Sequence, residues 1–211
     1  NQKTVLRLIY NVICSAHFLH SAGVMHRDLK PSNILVASDL TVRICDFGMS
    51  RSVLNQRDLK NAEKKPKRRL SAQICTRWYR APELILLQNY YNEKVDIWSI
   101  GCILSELLYS SVEYESINQM KGARILFKGD SCYPMSPMKK KDAKTGSAIS
   151  KNDQLQQILR VLGDLDEKDL EFVKEPEVIS HCKSLQVGIC KIDFKSEFTK
   201  TSSKLCGLLQ Q

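Results

Sequence analysis

Asp28 and Asp46 each close a short extended run, and Asn33 follows five residues after the first. Two carboxylates and a neutral amide oxygen suit a hard cation such as magnesium, which takes oxygen ligands and keeps some of its water. Lys30 stands two residues beyond Asp28. Moving a phosphoryl group onto a hydroxyl requires a group that orients the hydroxyl and accepts its proton. It also requires positive charge to offset the charge in flight. An aspartate, a neighbouring lysine and two metal-binding side chains supply those parts. Each residue alone says little, because an isolated aspartate in a loop is ordinarily solvated or caps something.

The surrounding pattern gives these residues their positions. Over residues 4–22 the apolar positions Leu6, Ile9, Ile13, Ala16 and Leu19 or His20 recur at three and four, which predicts an amphipathic helix. Gly23 ends it. Val24 and Met25 are extended, and His26 to Asn33 is a polar loop containing Pro31. Ile34 to Val36 is a strand, Asp39 marks a turn, and Val42, Ile44 and Cys45 form a second strand ending at Asp46. Residues 48–76 have no sustained period and read as a long loop with Gly48 as a hinge. Pro82 opens a short helix through Leu87.

Residues 95–109 are apolar around most of the circumference, which predicts a central buried helix, with Asp96 as its cap or a buried anchor. Residues 110–152 are a polar, basic excursion. A helix runs from Asp153 to Val161 and Gly163 stops it. Residues 164–199 are mixed, and Leu205, Leu208 and Leu209 begin another helix.

The chain has 211 residues, 43% apolar and 26% charged, ordinary for a globular protein. No run is apolar enough to cross a membrane and no signal peptide opens the chain. Eight cysteines without a C-x-x-C pair, beside four histidines, argue against structural zinc and for reduced thiols. The formal charge is +9, partly from K-K-P-K-R-R at 64–69 and K-K-K at 139–141. Each run reads as a solvated loop, or else as a nuclear-import signal or acidic docking site. Nucleic-acid binding rests on charge alone, with no recognition motif or aromatic platform beside it.

Read as one string, the sequence is H-R-D-L-K-P-S-N at 26–33, D-F-G at 46–48 and A-P-E at 81–83. Their order and strand–turn–strand setting resemble the eukaryotic protein-kinase signature. T-R-W-Y-R-A-P-E at 76–83, the cysteine before D-F-G, L-F-K-G-D at 126–130 and D-Q-L-Q-Q-I-L at 153–159 narrow the resemblance. They are similar to the mitogen-activated branch of the CMGC group, and S-C-Y-P-M-S-P at 131–137 looks like versions from unicellular eukaryotes.

The resemblance implies a fold and a set of roles. The expected fold is α+β and protein-kinase-like, limited to a mainly helical C-terminal lobe truncated at both ends. Residues 1–211 would be a partial catalytic domain, with an activation segment at 46–83 and a family-type insert at about 164–190. The activity implied is a serine/threonine kinase using ATP and Mg2+, directed to Ser/Thr-Pro sites of protein substrates and switched on by an upstream kinase. The fragment alone would be weak or inactive. The competing reading is a pseudokinase or regulatory scaffold. The location implied is the cytoplasm, extending to the nucleus.

By the same resemblance Asp28 is the catalytic base, Lys30 contacts phosphate, and Thr76 bridges toward both. Asn33 and Asp46 hold magnesium. His26 and Phe47 belong to a hydrophobic column, Asp96 holds the backbone of the 26–28 turn, and Arg80 shapes a pocket for proline after the acceptor. Glu83 pairs with an arginine beyond this sequence. Where the branch carries a doubly phosphorylated T-x-Y, this chain has Ser71 and Gln73. A single phosphate at Ser71 would then pair with Arg27, and Arg77 would lose the phosphotyrosine it normally meets.

Overall fold

The computed structural model describes residues 1–52, 77–88, 91–111, 124–134, 152–171, 173, 175–185, 192–199 and 201–209. Helix α1 runs Gln2–Ser21, and the Asn1 side chain caps it by accepting from the Thr4 N–H at 3.0 Å. Its buried face is Val5, Ile9, Val12 and Ala16. Leu6 and Ile13, expected on that face, are 53% and 38% exposed. The pairs Val5/Val12 and Leu6/Ile13 both repeat at seven, so period alone could not choose between them. Packing against the long helix and a strand selects the first pair. Gly23 closes the helix at φ 70°, donating to the His20 carbonyl at 2.9 Å.

Strand β1 (Val24–Met25) pairs antiparallel with β4 (Arg51–Ser52). Strand β2 (Ile34–Val36) pairs antiparallel with β3 (Val42–Ile44), in the register Ile34↔Ile44 and Val36↔Val42. Asp39 makes the turn between them, accepting from the Thr41 N–H at 2.9 Å and the Thr41 hydroxyl at 2.7 Å.

Helix α2 is Pro82–Ile85, shorter than expected, and α3 is Lys94–Tyr109. Helix α3 buries Ile100, Ile103, Leu104 and Leu108 and is central, although Ile97 is 51% exposed. Beyond it lie α4 (Gln154–Leu162), α5 (Pro176–Ser184), α6 (Phe194–Glu197) and α7 (Ser203–Leu208). Helix α4 is capped by the Asp153 side chain and stopped by Gly163 at φ 90°. One apolar cluster joins Val5 and Ile9 of α1 to Leu104 of α3, Leu159 of α4 and Cys206 of α7. Full burial of a side chain such as Ile9 stabilises by about 1.5–3 kcal/mol.

The expected mainly helical lobe, cut at both ends, is corrected by these strands. The fold is α+β and protein-kinase-like, with a β part formed by β1–β4 as well as a helical lobe. The physical reason lies in short extended runs, two of them rich in β-branched residues. Ile34–Val36 and Val42–Ile44 pair across a tight turn, and Arg51–Ser52, inside the expected long loop, pairs back onto Val24–Met25. Among the described residues no helix is long and apolar enough to cross a membrane. The six described cysteines, Cys14, Cys45, Cys102, Cys132, Cys182 and Cys206, are all free thiols.

Candidate active site

The loop between β1 and β2 is fixed from α3. Asp96, fully buried in the first turn of α3, accepts from the backbone N–H of His26 at 2.8 Å and of Arg27 at 2.7 Å. His20, at the end of α1, reaches the same carboxylate through Nε2 at 2.8 Å. Arg27 adopts φ 70°, a left-handed conformation that costs a side-chain-bearing residue about 1–2 kcal/mol. The two bonds from Asp96 hold it there.

His26 is fully buried. Its Nδ1 accepts from the Asp28 N–H at 3.3 Å, so Nε2 is the protonated nitrogen and donates to the Cys45 carbonyl at 2.9 Å. The loop is thereby tied to the residue before Asp46. The Asn33 carbonyl makes a second tie, accepting from the Cys45 N–H at 2.9 Å.

Asp28 is 3% exposed, and its Oδ2 receives the Lys30 ammonium at 2.8 Å. Asn33, in a turn opened by Pro31, donates through Nδ2 to the Asp28 carbonyl at 2.9 Å and to Oδ2 at 3.3 Å. Asp28, Lys30 and Asn33 therefore meet on one carboxylate oxygen. Asp46 is left-handed at φ 63°, and its Oδ1 accepts from the Gly48 N–H at 3.4 Å. Phe47 is 46% exposed and stands edge-on to His26, with ring centroids 5.1 Å apart.

A further segment is held by the same helix, α3. Arg77–Tyr79 is a single tight turn, and the Ser99 hydroxyl of α3 donates to the Tyr79 carbonyl at 2.7 Å. Arg77 donates to the Asp130 carbonyl, and Arg80 donates to Cys132 Sγ at 3.5 Å. Glu83 sits in the first turn of α2. Thr76, Ser71, Gln73 and both basic runs lie outside the described residues.

Burial lowers the Arg27 pKa from its ordinary value, Tyr91 opposes that shift, and Arg51 adds to it. The Arg27 guanidinium lies 5.4 Å from the Tyr91 ring centroid. Two residues with no place in the sequence analysis act here, Tyr91 beside Arg27 and Ser99 on the Tyr79 carbonyl, and His20 supports the loop through its bond to Asp96. In the sequence His20 stands only as the alternative to Leu19 on the apolar face of residues 4–22.

The donor set suits magnesium better than a caged metal. Asn33 points Nδ2 at Asp28, which leaves Oδ1 as the remaining polar group of its amide. With Asp46 this gives two oxygen-bearing side chains at neighbouring positions. Among the described residues no group of three or more His, Cys, Asp or Glu could hold a metal. A cation with two protein ligands must complete its shell with water and phosphate, as magnesium does.

The protein kinase domain family model matches residues 1–203, and the chain belongs to that family. The chain is also similar to mitogen-activated protein kinases of fungi and plants. With MKC1 of Candida albicans it is 37% identical over 179 residues, which are 85% of this chain and 28% of that protein. With mpkA of Aspergillus fumigatus it is 34% identical over 203 residues, 96% of this chain and 39% of that protein. With mitogen-activated protein kinase 4 of Oryza sativa subsp. japonica it is 32% identical over 177 residues, 84% of this chain and 37% of that protein. The chain therefore spans well under half the length of these relatives.

Proposed function

We propose that the protein carrying this chain is a serine/threonine kinase of the mitogen-activated type, dependent on ATP and magnesium and directed to Ser/Thr-Pro sites. The supporting observation is the meeting of Lys30 and Asn33 on the Asp28 carboxylate, in a loop pinned to α3 by Asp96.

In this reading Asp28 orients the acceptor hydroxyl and takes its proton as the hydroxyl oxygen bonds to the γ-phosphorus. The bond from that phosphorus to the departing ADP oxygen breaks in the same displacement. Lys30, already lying across Asp28, supplies positive charge beside the phosphoryl group. Asn33 and Asp46 are the side chains that would hold magnesium, which when bound offsets the negative charge of the phosphates. His26 and Phe47 form the column joining loop and turn, and Asp96 sets the loop backbone. By its resemblance to the family motif, Thr76 would bridge toward Asp28 and Lys30. Residues 46–83 form the activation segment, and about 164–190 a family-type insert. An upstream kinase phosphorylates Ser71, whose charge Arg27 receives; Arg77 loses the phosphotyrosine that it meets in the branch, Arg80 shapes the pocket for proline after the acceptor, and Glu83 anchors the end of the segment.

The test follows transfer of a labelled γ-phosphoryl group to a Ser-Pro peptide while magnesium is varied. Asn33→Ala and Asp46→Asn should each raise the magnesium needed and lower turnover by about a hundredfold, as for loss of charge stabilisation at a reacting group. Unchanged magnesium dependence in both variants would contradict the assignment.

A further inference from the structure

The turn Arg77–Tyr79 and Arg80 after it are held from two sides. On one side stands α3. Ser99 donates to the Tyr79 carbonyl, and Asp96, three residues earlier on the same helix face, binds the backbone of His26 and Arg27. One turn of helix thus fixes the 77–80 segment and the loop of Asp28 relative to each other.

On the other side lies the strap 128–133. Trp78 Nε1 donates to the Gly129 carbonyl at 2.9 Å, and Arg77 donates to the Asp130 carbonyl. Arg80 donates to Cys132 Sγ, and the Lys128 ammonium lies 5.7 Å from the Trp78 ring centroid.

The strap is fastened in turn to the start of α4. Asp153, fully buried, accepts from the Ser131 hydroxyl at 2.6 Å and from the Tyr133 N–H at 2.9 Å. Gln154 donates its N–H to the Ser131 carbonyl at 3.0 Å, and its Oε1 accepts from the Gly129 N–H at 3.0 Å. Cys132, between the two residues that Asp153 grips, is fully buried. Burial pushes its thiol pKa up, although Arg80 opposes the shift, so Sγ meets the guanidinium as a neutral thiol.

We propose that Cys132, held in place by Asp153, is a positioning residue that aims Arg80 and thereby sets how the enzyme grips its peptide substrate beside the acceptor. This rests on the kinase reading, in which Arg80 shapes the pocket for the residue after the acceptor. Cys132 lies outside every catalytic motif of the chain, and its effect should fall on the peptide rather than on the nucleotide.

The experiment compares Cys132→Val, similar in volume but without an acceptor, with Cys132→Ser, which keeps one. Turnover is measured on a Ser-Pro and a Ser-Ala peptide with varied Mg-ATP. Equilibrium binding is measured with a fluorescent peptide bearing Ala at the acceptor position. Cys132→Val should raise both KM and Kd for the proline peptide about fivefold, the loss of one weak hydrogen bond from a charged donor. It should narrow the preference for proline and leave the KM for Mg-ATP unchanged. Cys132→Ser should stay close to the unaltered protein.

A Cys132→Val protein with unchanged peptide constants would overturn the proposal. So would a loss shared by Cys132→Ser together with a lowered melting temperature, which would mark a structural role only. If the unaltered protein transfers no phosphate, the kinase reading fails. The binding arm still decides the role of Cys132, because an unchanged or absent peptide Kd overturns it.

Discussion

Asp96→Asn removes one oxygen from a fully buried carboxylate that now receives three hydrogen bonds. Oδ1 serves the Arg27 N–H, while Oδ2 serves the His26 N–H and His20. An asparagine has one carbonyl oxygen for these two backbone donors, and its NH2 group must face the other N–H. Each lost bond to a charged acceptor is worth about 1.5–3 kcal/mol, and the orphaned buried N–H adds its desolvation cost. The expected loss is about 3–5 kcal/mol, which lowers the melting temperature by about 10 °C for a domain of this size. Arg27 would also lose the contacts that hold its left-handed backbone, so phosphotransfer should fall further than the folded fraction. His20→Ala removes only one partner and should cost about 1–2 kcal/mol. The assay is urea and thermal unfolding beside phosphotransfer at a temperature where each variant is folded. The reasoning is refuted if Asp96→Asn costs less than about 1 kcal/mol with turnover intact, or if His20→Ala is the more damaging change.

His181 and Gly129 give two further expectations. Burial lowers the His181 pKa, Asp153 opposes the shift, and Nε2, beside the Tyr133 ring, is buried without a hydrogen-bond partner among the described residues. The unfolded chain then binds a proton that the folded one resists, so this contribution is present above about pH 6.5 and is lost as the pH falls below it. Urea midpoints at about pH 7.5 and 5.5 should converge in His181→Leu, and an unaltered gap would show that another group is responsible. At Gly129 an added Cβ would stand 2.6 Å from Gln154 Cα and 2.7 Å from its backbone nitrogen. Gly129→Ala should cost about 1–3 kcal/mol by overpacking in chemical denaturation, whereas an alanine at Gly101, where nothing lies within 4 Å, should be tolerated.

The loop of Asp28 and the strands beside it were legible because their determinants are local. Pro31, the β-branched runs and the Asp39 turn act within a few residues, and so do the caps at Asp153 and Gly163. The partners of Asp96 were not readable from spacing, since His26 lies 70 residues away and only packing of α1 against α3 brings them together. The resemblance, not the pattern, suggested that link. The pair β1–β4 escaped notice because strands of two residues show no alternation. Helix α5 was missed because P-E-V-I-S-H-C-K-S carries few apolar residues to mark a face. The strap 128–133 lay in what read as a polar excursion, and its importance comes from hydrogen bonds to carbonyl groups, which sequence does not display.

The most direct test of the account is single-turnover transfer of the γ-phosphoryl group to a Ser-Pro peptide by the protein carrying this chain, compared with its Asp28→Asn form. Asparagine keeps the shape of Asp28 but cannot take up the proton of the hydroxyl. The account predicts a rate lower by about 10²–10⁴-fold, with nucleotide affinity and melting temperature little changed. Transfer within about tenfold of the unaltered protein would contradict the role given to Asp28 and the mechanism built on it.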